Sequence, residues 1–159
     1  MIASFAITLA VRYLLVALFL PFSALDKILN FNGAVVQCQE QVSPRTLAKL
    51  FILAGLCVEV AMPLCILTGV VDRLAAFVMA GYCGTTALLW KQFWTSGDFW
   101  RKGASKGRDL FWDFLKNFAL AGGFLLITFG TNAGTVGDFF AHPLSSTHPY
   151  TIERESPLP

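Results

Sequence analysis

The segment Leu47–Val71 reads LAKLFILAGLCVEVAMPLCILTGVV and determines the environment in which this chain folds. Its charged residues are Lys49, close to the start, and Glu59, near the middle. A helix needs about 20 consecutive apolar residues to cross roughly 30 Å of hydrocarbon. Because lipid offers a backbone amide no hydrogen-bond partner, an apolar segment of this length must be helical inside a membrane. We therefore predict that Leu47–Val71 is a transmembrane helix.

Three further apolar segments of similar length occur in the chain: Phe5–Leu25, Leu74–Phe93 and Phe114–Gly130. The composition agrees with them, since 55% of the 159 residues are hydrophobic and 14% are charged, and the mean hydropathy is +0.61. The sequence thus predicts an all-α fold, an antiparallel bundle of four transmembrane helices. We expect one membrane domain over residues 1–130 and a polar C-terminal tail that contains Pro, Ser and Thr over residues 131–159.

The segments between the predicted spans differ in length. Gly69–Arg73 is so short that the second and third spans should form an antiparallel hairpin. Asn30–Pro44 is longer, and its opening residues Phe31, Asn32 and Gly33 are typical of a turn, so we predict a loop there.

Basic residues indicate the orientation of the bundle. Nine lie in or beside the first and third connections, and three lie elsewhere. The nine are Lys27, Arg45, Lys49, Lys91, Arg101, Lys102, Lys106, Arg108 and Lys116, and the three are Arg12, Arg73 and Arg154. The bias predicts that both termini lie on the non-cytoplasmic side. The net charge of +2 is too small to indicate a nucleic-acid partner.

The histidines and cysteines argue against several kinds of site. Both histidines, His142 and His148, follow the last apolar segment, so no span offers the histidines that ligate a transmembrane haem or pigment. Two histidines in a tail without neighbouring ligands do not predict a metal site. The four cysteines form no CxxC motif. We therefore expect no metal and no covalently bound cofactor.

Glu59 is the most unusual residue of the chain, because a carboxylate at the centre of a transmembrane helix costs about 2.5–3.5 kcal/mol on insertion scales unless it is paired or protonated. Pro63, four residues later, should interrupt the helix at the carbonyl of Glu59. Arg12 is the candidate partner if the first span begins near Ile2, which predicts an Arg12–Glu59 ion pair. If the span begins nearer Arg12, the guanidinium can extend to the interface, and Glu59 is then neutral or paired elsewhere. The pair could fix the helix register, or Glu59 could serve a proton or quinone site.

Aromatic and basic residues surround the third connection. All four tryptophans, Trp90, Trp94, Trp100 and Trp112, fall here, together with Arg101, Lys102, Lys106 and Arg108. Such a mixture is typical of a lipid interface, and it could also form the mouth of a site for an amphipathic ligand.

A polar cluster is expected at the same membrane surface, where Lys27, Lys91, Lys116 and Asn117 could lie beneath Trp94 and bind a quinone headgroup or lipid. The alternative is that these lysines only extend to the interface.

In this order, the residues resemble the DoxX family of small four-span membrane proteins. The matching pieces are Arg12–Leu15, Phe22–Lys27, Glu59, Thr68-Gly69, Asp72–Ala76, Phe93-Trp94 and Phe114–Gly123, within residues 8–130. The resemblance implies a four-helix membrane bundle, often linked to redox enzymes such as thiosulfate:quinone oxidoreductases, in a bacterial cytoplasmic membrane. Many relatives have a histidine just before the Phe-Trp pair, where this chain has Lys91 and Gln92.

Taken together, these features favour a membrane accessory subunit that contacts lipids and packs against or stabilises a larger redox complex, of respiratory or photosynthetic type. A quinone-accessible site is one place where such a contact could lie. The alternative is a quinone-reactive oxidoreductase subunit, with Lys27, Lys91, Lys116 and Asn117 holding the headgroup and Glu59 moving protons. A third hypothesis is a small transporter, with Glu59 and the Pro63 break as its midplane site.

Overall fold

The computed structural model describes residues 2–132 and 134–151, and this part of the chain contains helices but no strand. The helices are α1 (Ile2–Val16), α2 (Ala24–Leu29), α3 (Phe31–Gln39), α4 (Arg45–Thr68), α5 (Asp72–Trp90), α6 (Lys106–Phe129) and α7 (Gly134–Ala141). Four helical segments are long and apolar enough to cross a membrane, and we call them spans one to four: Ala3–Leu29, Arg45–Thr68, Asp72–Thr95 and Lys106–Phe129. The predicted all-α fold with four transmembrane helices is confirmed.

Span one is interrupted in its middle. Leu20 leaves the helical conformation, with φ −120° and ψ 112°, and a wide helical turn over Leu18–Ser23 joins α1 to α2. Pro21 explains the break, since proline has no amide hydrogen to donate and forces the preceding residue towards extended backbone. The sequence predicts a break at Pro63 instead. That expectation is wrong, because α4 continues through Pro63 to Thr68.

The first connection is more regular than predicted. Phe31–Gln39 forms α3 rather than a loop, and the chain turns one residue earlier, at Asn30 (φ −117°, ψ 39°). The physical reason is packing, since Val35 and Cys38 on one face of α3 are buried against Ala48 of span two. This burial stabilises a short helix that would be marginal alone.

The second connection is the tight hairpin that the sequence predicts. α4 ends at Gly69, which has the left-handed conformation (φ 76°) and donates its amide to the carbonyl of Cys65 at 3.0 Å. Glycine adopts this conformation without steric cost, which makes it a common helix terminator. Span three begins three residues later, at Asp72.

The main core lies where the four spans meet. Val16 and Phe19 of span one, Ile66 of span two, Met79 of span three and Phe124 of span four are all buried there. Each span therefore contributes its inward face to one shared cluster, as expected for a helical bundle.

Residues 134–151 of the tail fold back onto the bundle. Phe139 of α7 is buried and packs against Phe77 of span three and Phe129 of span four. Tyr150 donates its hydroxyl to the carbonyl of Leu67 at the end of span two. This part of the tail covers the end of the bundle at the hairpin between spans two and three.

Candidate functional site

Glu59 lies at the centre of a polar cluster contributed by three spans. Its side chain is 2% exposed, and the Lys27 ammonium donates to both carboxylate oxygens, at 2.8 and 2.9 Å. The hydroxyls of Ser23 and Tyr82 donate to the same oxygen, Oε1, at 2.9 and 2.8 Å. Lys27 also donates to Ser23, at 2.8 Å. We call Ser23, Lys27, Glu59 and Tyr82 the Glu59 cluster.

Local structure brings these four side chains together. Ser23 and Lys27 are four residues apart, so they lie on one helical face, directly after the break at Leu20. Gly55 precedes Glu59 by one helical turn and makes room for Tyr82, because a Cβ at Gly55 would lie 3.2 Å from the Tyr82 hydroxyl oxygen.

The Glu59 cluster stabilises an ionised carboxylate inside the bundle. A buried charge is tolerated when it is both paired and hydrogen-bonded, and Glu59 has one cationic and two hydroxyl donors. The Tyr82 hydroxyl and the Lys27 ammonium also carry exchangeable protons next to the carboxylate. Chemically, the arrangement can fix the relation of three helices, and it has the groups needed to pass a proton.

The prediction of an Arg12–Glu59 ion pair is wrong. Arg12 instead pairs with Asp72, with Nη1 and Oδ2 2.8 Å apart, and both side chains are buried. Arg12 also donates to the carbonyl of Ile66 at 2.6 Å and to the Thr147 hydroxyl at 2.7 Å. The reason is position along span one: Lys27, beyond the break at Leu20, is the cation that reaches Glu59, whereas Arg12 lies beside the hairpin.

A second buried arginine joins the tail to spans three and four. Arg73 donates to the carbonyl of Thr128 at 2.9 Å, and its Nη1 lies 2.6 Å from Asp138 Oδ2 in α7. Thr147 adds a further connection, since its amide donates to Asp72 at 2.9 Å and its hydroxyl donates to the same carboxylate. The hairpin end of the bundle is therefore held by two arginines whose partners include the tail.

The structure divides the predicted headgroup cluster into two parts. Lys27 belongs to the Glu59 cluster, whereas Lys91 and Lys116 both pair with Asp113, at 3.0 and 3.3 Å. Asn117 donates to the backbone carbonyl of Asp113 at 2.9 Å. These side chains are partly or largely exposed, so Lys91, Lys116 and Asn117 form a surface group around Asp113.

Trp94 follows Lys91 by three residues, at the end of span three. Its ring packs edge to face against Phe93, with 5.1 Å between centroids, and against Phe114 at 5.9 Å. It is 53% exposed. Aromatic rings thus pack against one another at this end of spans three and four.

Several residues of these networks are not among the sequence predictions, including Asp72, Tyr82 and Thr147. Asp72 lies next to Arg73 in a short connection between two spans. Two adjacent charges in so short a connection were a sequence signal that both need partners within the protein. Tyr82 has a hydroxyl in the middle of an apolar span, where a hydrogen-bond partner is needed. Nothing local marks Thr147, because its role depends on how the tail folds back.

Within residues 2–132 and 134–151, no three His, Cys, Asp or Glu side chains lie close enough to hold a metal ion. All four cysteines are in the thiol form, and Cys57 is exposed on span two.

A groove opens between spans one and four towards the lipid. It has a volume of about 640 Å³, and its lining is mostly apolar, with Ile7, Val11 and Leu14 from span one and Leu126 from span four. The two helices are in close contact at Leu15 and Gly123, where a Cβ on the glycine would lie 2.9 Å from the leucine side chain. Arg12 lies at the inner wall of the groove.

Comparison with known proteins identifies the family. The DoxX family model matches residues 7–92, which is more than half of the chain. The matched region covers all of span two, most of spans one and three, the whole Glu59 cluster and the Arg12–Asp72 pair, whereas span four lies beyond it. No curated protein and no solved structure shows significant similarity to this chain. With four apolar spans and this match, the chain is an integral membrane protein that belongs to the DoxX family.

Proposed function

We propose that this chain is an accessory subunit that packs against and stabilises a larger membrane redox complex, of respiratory or photosynthetic type. The observation that carries the proposal is that the charges buried in the spans satisfy one another, Glu59 with Lys27 and Asp72 with Arg12. In the described part of the chain, no buried side-chain nitrogen or oxygen lacks a hydrogen-bond partner. Such closed pairs support a role in holding helices in register.

The outer surface of the bundle supports a partner. In the most apolar window of span four, 6% of the residues are buried within the chain. Large side chains on both sides of the lipid-facing groove are exposed, among them Leu14 at 72% and Leu126 at 59%. Exposed apolar surface is ordinary towards lipid, and in a subunit it is also the surface that another transmembrane helix contacts. The redox part of the proposal rests on what the DoxX resemblance implies.

The proposal includes a location. We place the chain in a bacterial cytoplasmic membrane with both termini on the non-cytoplasmic side, because nine basic residues lie in or beside the first and third connections, on the opposite side of the membrane. In this orientation the Arg12–Asp72 pair lies near the non-cytoplasmic surface and the tryptophan-rich connection lies near the cytoplasmic surface.

Purification from native membranes tests the accessory role. A photo-cross-linking amino acid is placed at Leu14 or Leu126 on the groove, and at Leu50 (62% exposed) or Leu88 (51% exposed) on spans two and three as matched positions. The complex is then isolated in mild detergent. The proposal predicts that larger redox subunits co-purify with the chain. It also predicts cross-links to protein from one of the two sets, either the groove positions or the positions on spans two and three. A lone chain that gives lipid adducts at all four positions would overturn it.

The second candidate function is a quinone-reactive subunit in which Glu59 moves protons. The contact of Tyr82 with Glu59 favours it, because a phenol hydroxyl next to a carboxylate can pass a proton. Bound quinone in the purified chain, together with a changed pH profile of quinone reduction in Glu59→Gln, would support it. Asp109→Asn serves as the control, since Asp109 is an exposed carboxylate in the first turn of span four, outside the groups that this candidate assigns to the proton and the headgroup. An unchanged profile in Glu59→Gln would eliminate this candidate.

A further inference from the structure

The connection between spans three and four presents one indole almost wholly outside the protein. Trp100 is 91% exposed, and the next two residues, Arg101 and Lys102, are exposed as well. A single exposed apolar side chain is ordinary, but an exposed indole directly followed by two exposed cations is the combination typical of a membrane interface.

The backbone beneath Trp100 is held firmly. Arg108, in the first turn of span four, donates its guanidinium to the carbonyl of Phe99 at 2.8 Å and to the carbonyl of Arg101 at 2.5 Å. It also donates to the carbonyl of Gly103. The Arg108 side chain thereby connects residues 99–103 to the helix that follows. The backbone conformation that exposes Trp100 is therefore fixed by these hydrogen bonds.

Aromatic packing supports the same arrangement from the inner side. The Phe99 ring packs perpendicular to Phe111 of span four, with 5.4 Å between centroids, and lies 5.9 Å from Phe93. The connection thus has an inner aromatic layer against the protein and an outer layer formed by Trp100, Arg101 and Lys102.

Two more exposed indoles mark the level of this surface. Trp94 precedes the connection and is 53% exposed, and Trp112 follows it in span four and is 58% exposed. Tryptophan is enriched at the headgroup level of a membrane, where one part of the ring meets lipid and its N–H meets water. Because the connection joins two spans directly, lipid headgroups are the surface closest to it.

We propose that Trp100, Arg101 and Lys102 form a binding surface for anionic phospholipid headgroups. The indole lies in the headgroup layer, and the two cations bind lipid phosphates. Charge complementarity favours this occupant, since cations next to a membrane attract anionic lipid over distances of about a Debye length. The inference is independent of the proposed subunit role.

Fluorescence quenching tests the proposal on the full chain. The protein is reconstituted in vesicles of brominated phosphatidylcholine, with or without phosphatidylglycerol, and the signal of Trp100 is obtained as the difference between the wild-type chain and Trp100→Phe. We expect Trp100 to be quenched by headgroup-proximal bromine, and competition with unbrominated phosphatidylglycerol to show a preference for the anionic lipid. At high salt this preference should decrease.

The decisive variant removes the two cations. Because each cation near the surface contributes about a fivefold preference for anionic lipid, Arg101→Gln/Lys102→Gln should lower the preference at Trp100 by roughly 25-fold. Arg45→Gln/Lys49→Gln is the matched control, since it removes two exposed cations at the start of span two. Equal losses in both double variants, or a Trp100 emission that stays water-like in every lipid mixture, would overturn the proposal.

Discussion

Lys27 and Glu59 form a bidentate ion pair between the first and second spans, with the ammonium 2.8 and 2.9 Å from the two carboxylate oxygens. The lysine side chain is 20% exposed and that of the glutamate is 2% exposed. The charge of Glu59 is therefore balanced from within the chain, on the span that is broken at Leu20. Ser23 and Tyr82 complete the coordination of the carboxylate.

Removal of the lysine should destabilise the bundle. Lys27→Met leaves Glu59 buried with two hydroxyl donors and no cation, and breaking a buried pair in this way costs about 3–5 kcal/mol. Thermal unfolding in detergent measures the loss. Lys116→Met is the control, because that ammonium is 71% exposed and an exposed pair contributes about 0–1 kcal/mol. Equal losses in the two variants would contradict the buried pair.

Double-mutant cycles should separate the two ion pairs of span one. Arg12→Met and Asp72→Asn are expected to couple, because the side chains are in contact, whereas Arg12→Met and Glu59→Gln should be additive within about 0.5 kcal/mol. Unfolding free energies of the single and double variants provide the measurement. If Arg12 and Glu59 were coupled instead, the pairs seen in the structure would be contradicted and the Arg12–Glu59 pair predicted from the sequence would be supported.

The tail should contribute to stability through Thr147. Thr147→Val removes the hydroxyl that contacts both Arg12 and Asp72, and leaving such buried groups short of a partner costs about 1–3 kcal/mol. Thr151→Val changes the same side chain at an exposed position of the tail and should be close to neutral. The melting temperature in detergent distinguishes the two. A neutral Thr147→Val would show that the tail contact carries no stability.

Space next to Tyr82 should be essential. A valine at Gly55 would push the Tyr82 hydroxyl away from Glu59, because even a Cβ there lies only 3.2 Å from that oxygen. We expect Gly55→Val to cost about 1–3 kcal/mol through overpacking. At Gly81 a Cβ would meet nothing within 4 Å, so Gly81→Val is the control. Comparable unfolding temperatures for the two variants would argue against the close approach.

The third connection should loosen in acid. Asp98 accepts from the amides of Lys106 and Gly107, both at 2.8 Å, and these bonds, that of Gly107 most strongly, hold the pKa of its carboxyl below the usual value of 3.8. These two bonds cap the start of span four. Because the pKa of Asp98 is lowered in the folded state, the stabilisation by this cap is fully present above about pH 4 and is lost as the pH falls through the folded-state pKa. Tryptophan fluorescence during an acid titration reports the change.

The matched variant for this cap works at neutral pH. Asp98→Asn should expose the connection to trypsin at Arg101 and Lys102, whereas Asp109→Asn, which alters an exposed carboxylate in the first turn of span four, should not. Equal cleavage rates in Asp98→Asn and the wild-type chain would show that the carboxylate does not hold the connection.

The sequence by itself determined that most of the chain lies in the hydrocarbon of a membrane, that these segments are helical, and that spans two and three form a tight hairpin. Apolar segments of about 20 residues must be helical in hydrocarbon whatever they contact, so the four spans could be predicted from composition. Glu59 could also be recognised, because its cost in lipid depends on its place in the segment and not on its neighbours.

Only the tertiary structure decided which charges meet. Lys27 reaches Glu59 because span one breaks at Leu20, and Arg12 reaches Asp72 because the hairpin lies beside it. Ion pairing depends on distances of a few ångströms between different helices, and these follow from packing, kinks and the return of the tail to the bundle. None of these is encoded in the spacing of residues along one segment. The sequence therefore shows that Glu59 needs a partner in the membrane, but it does not show which residue the partner is.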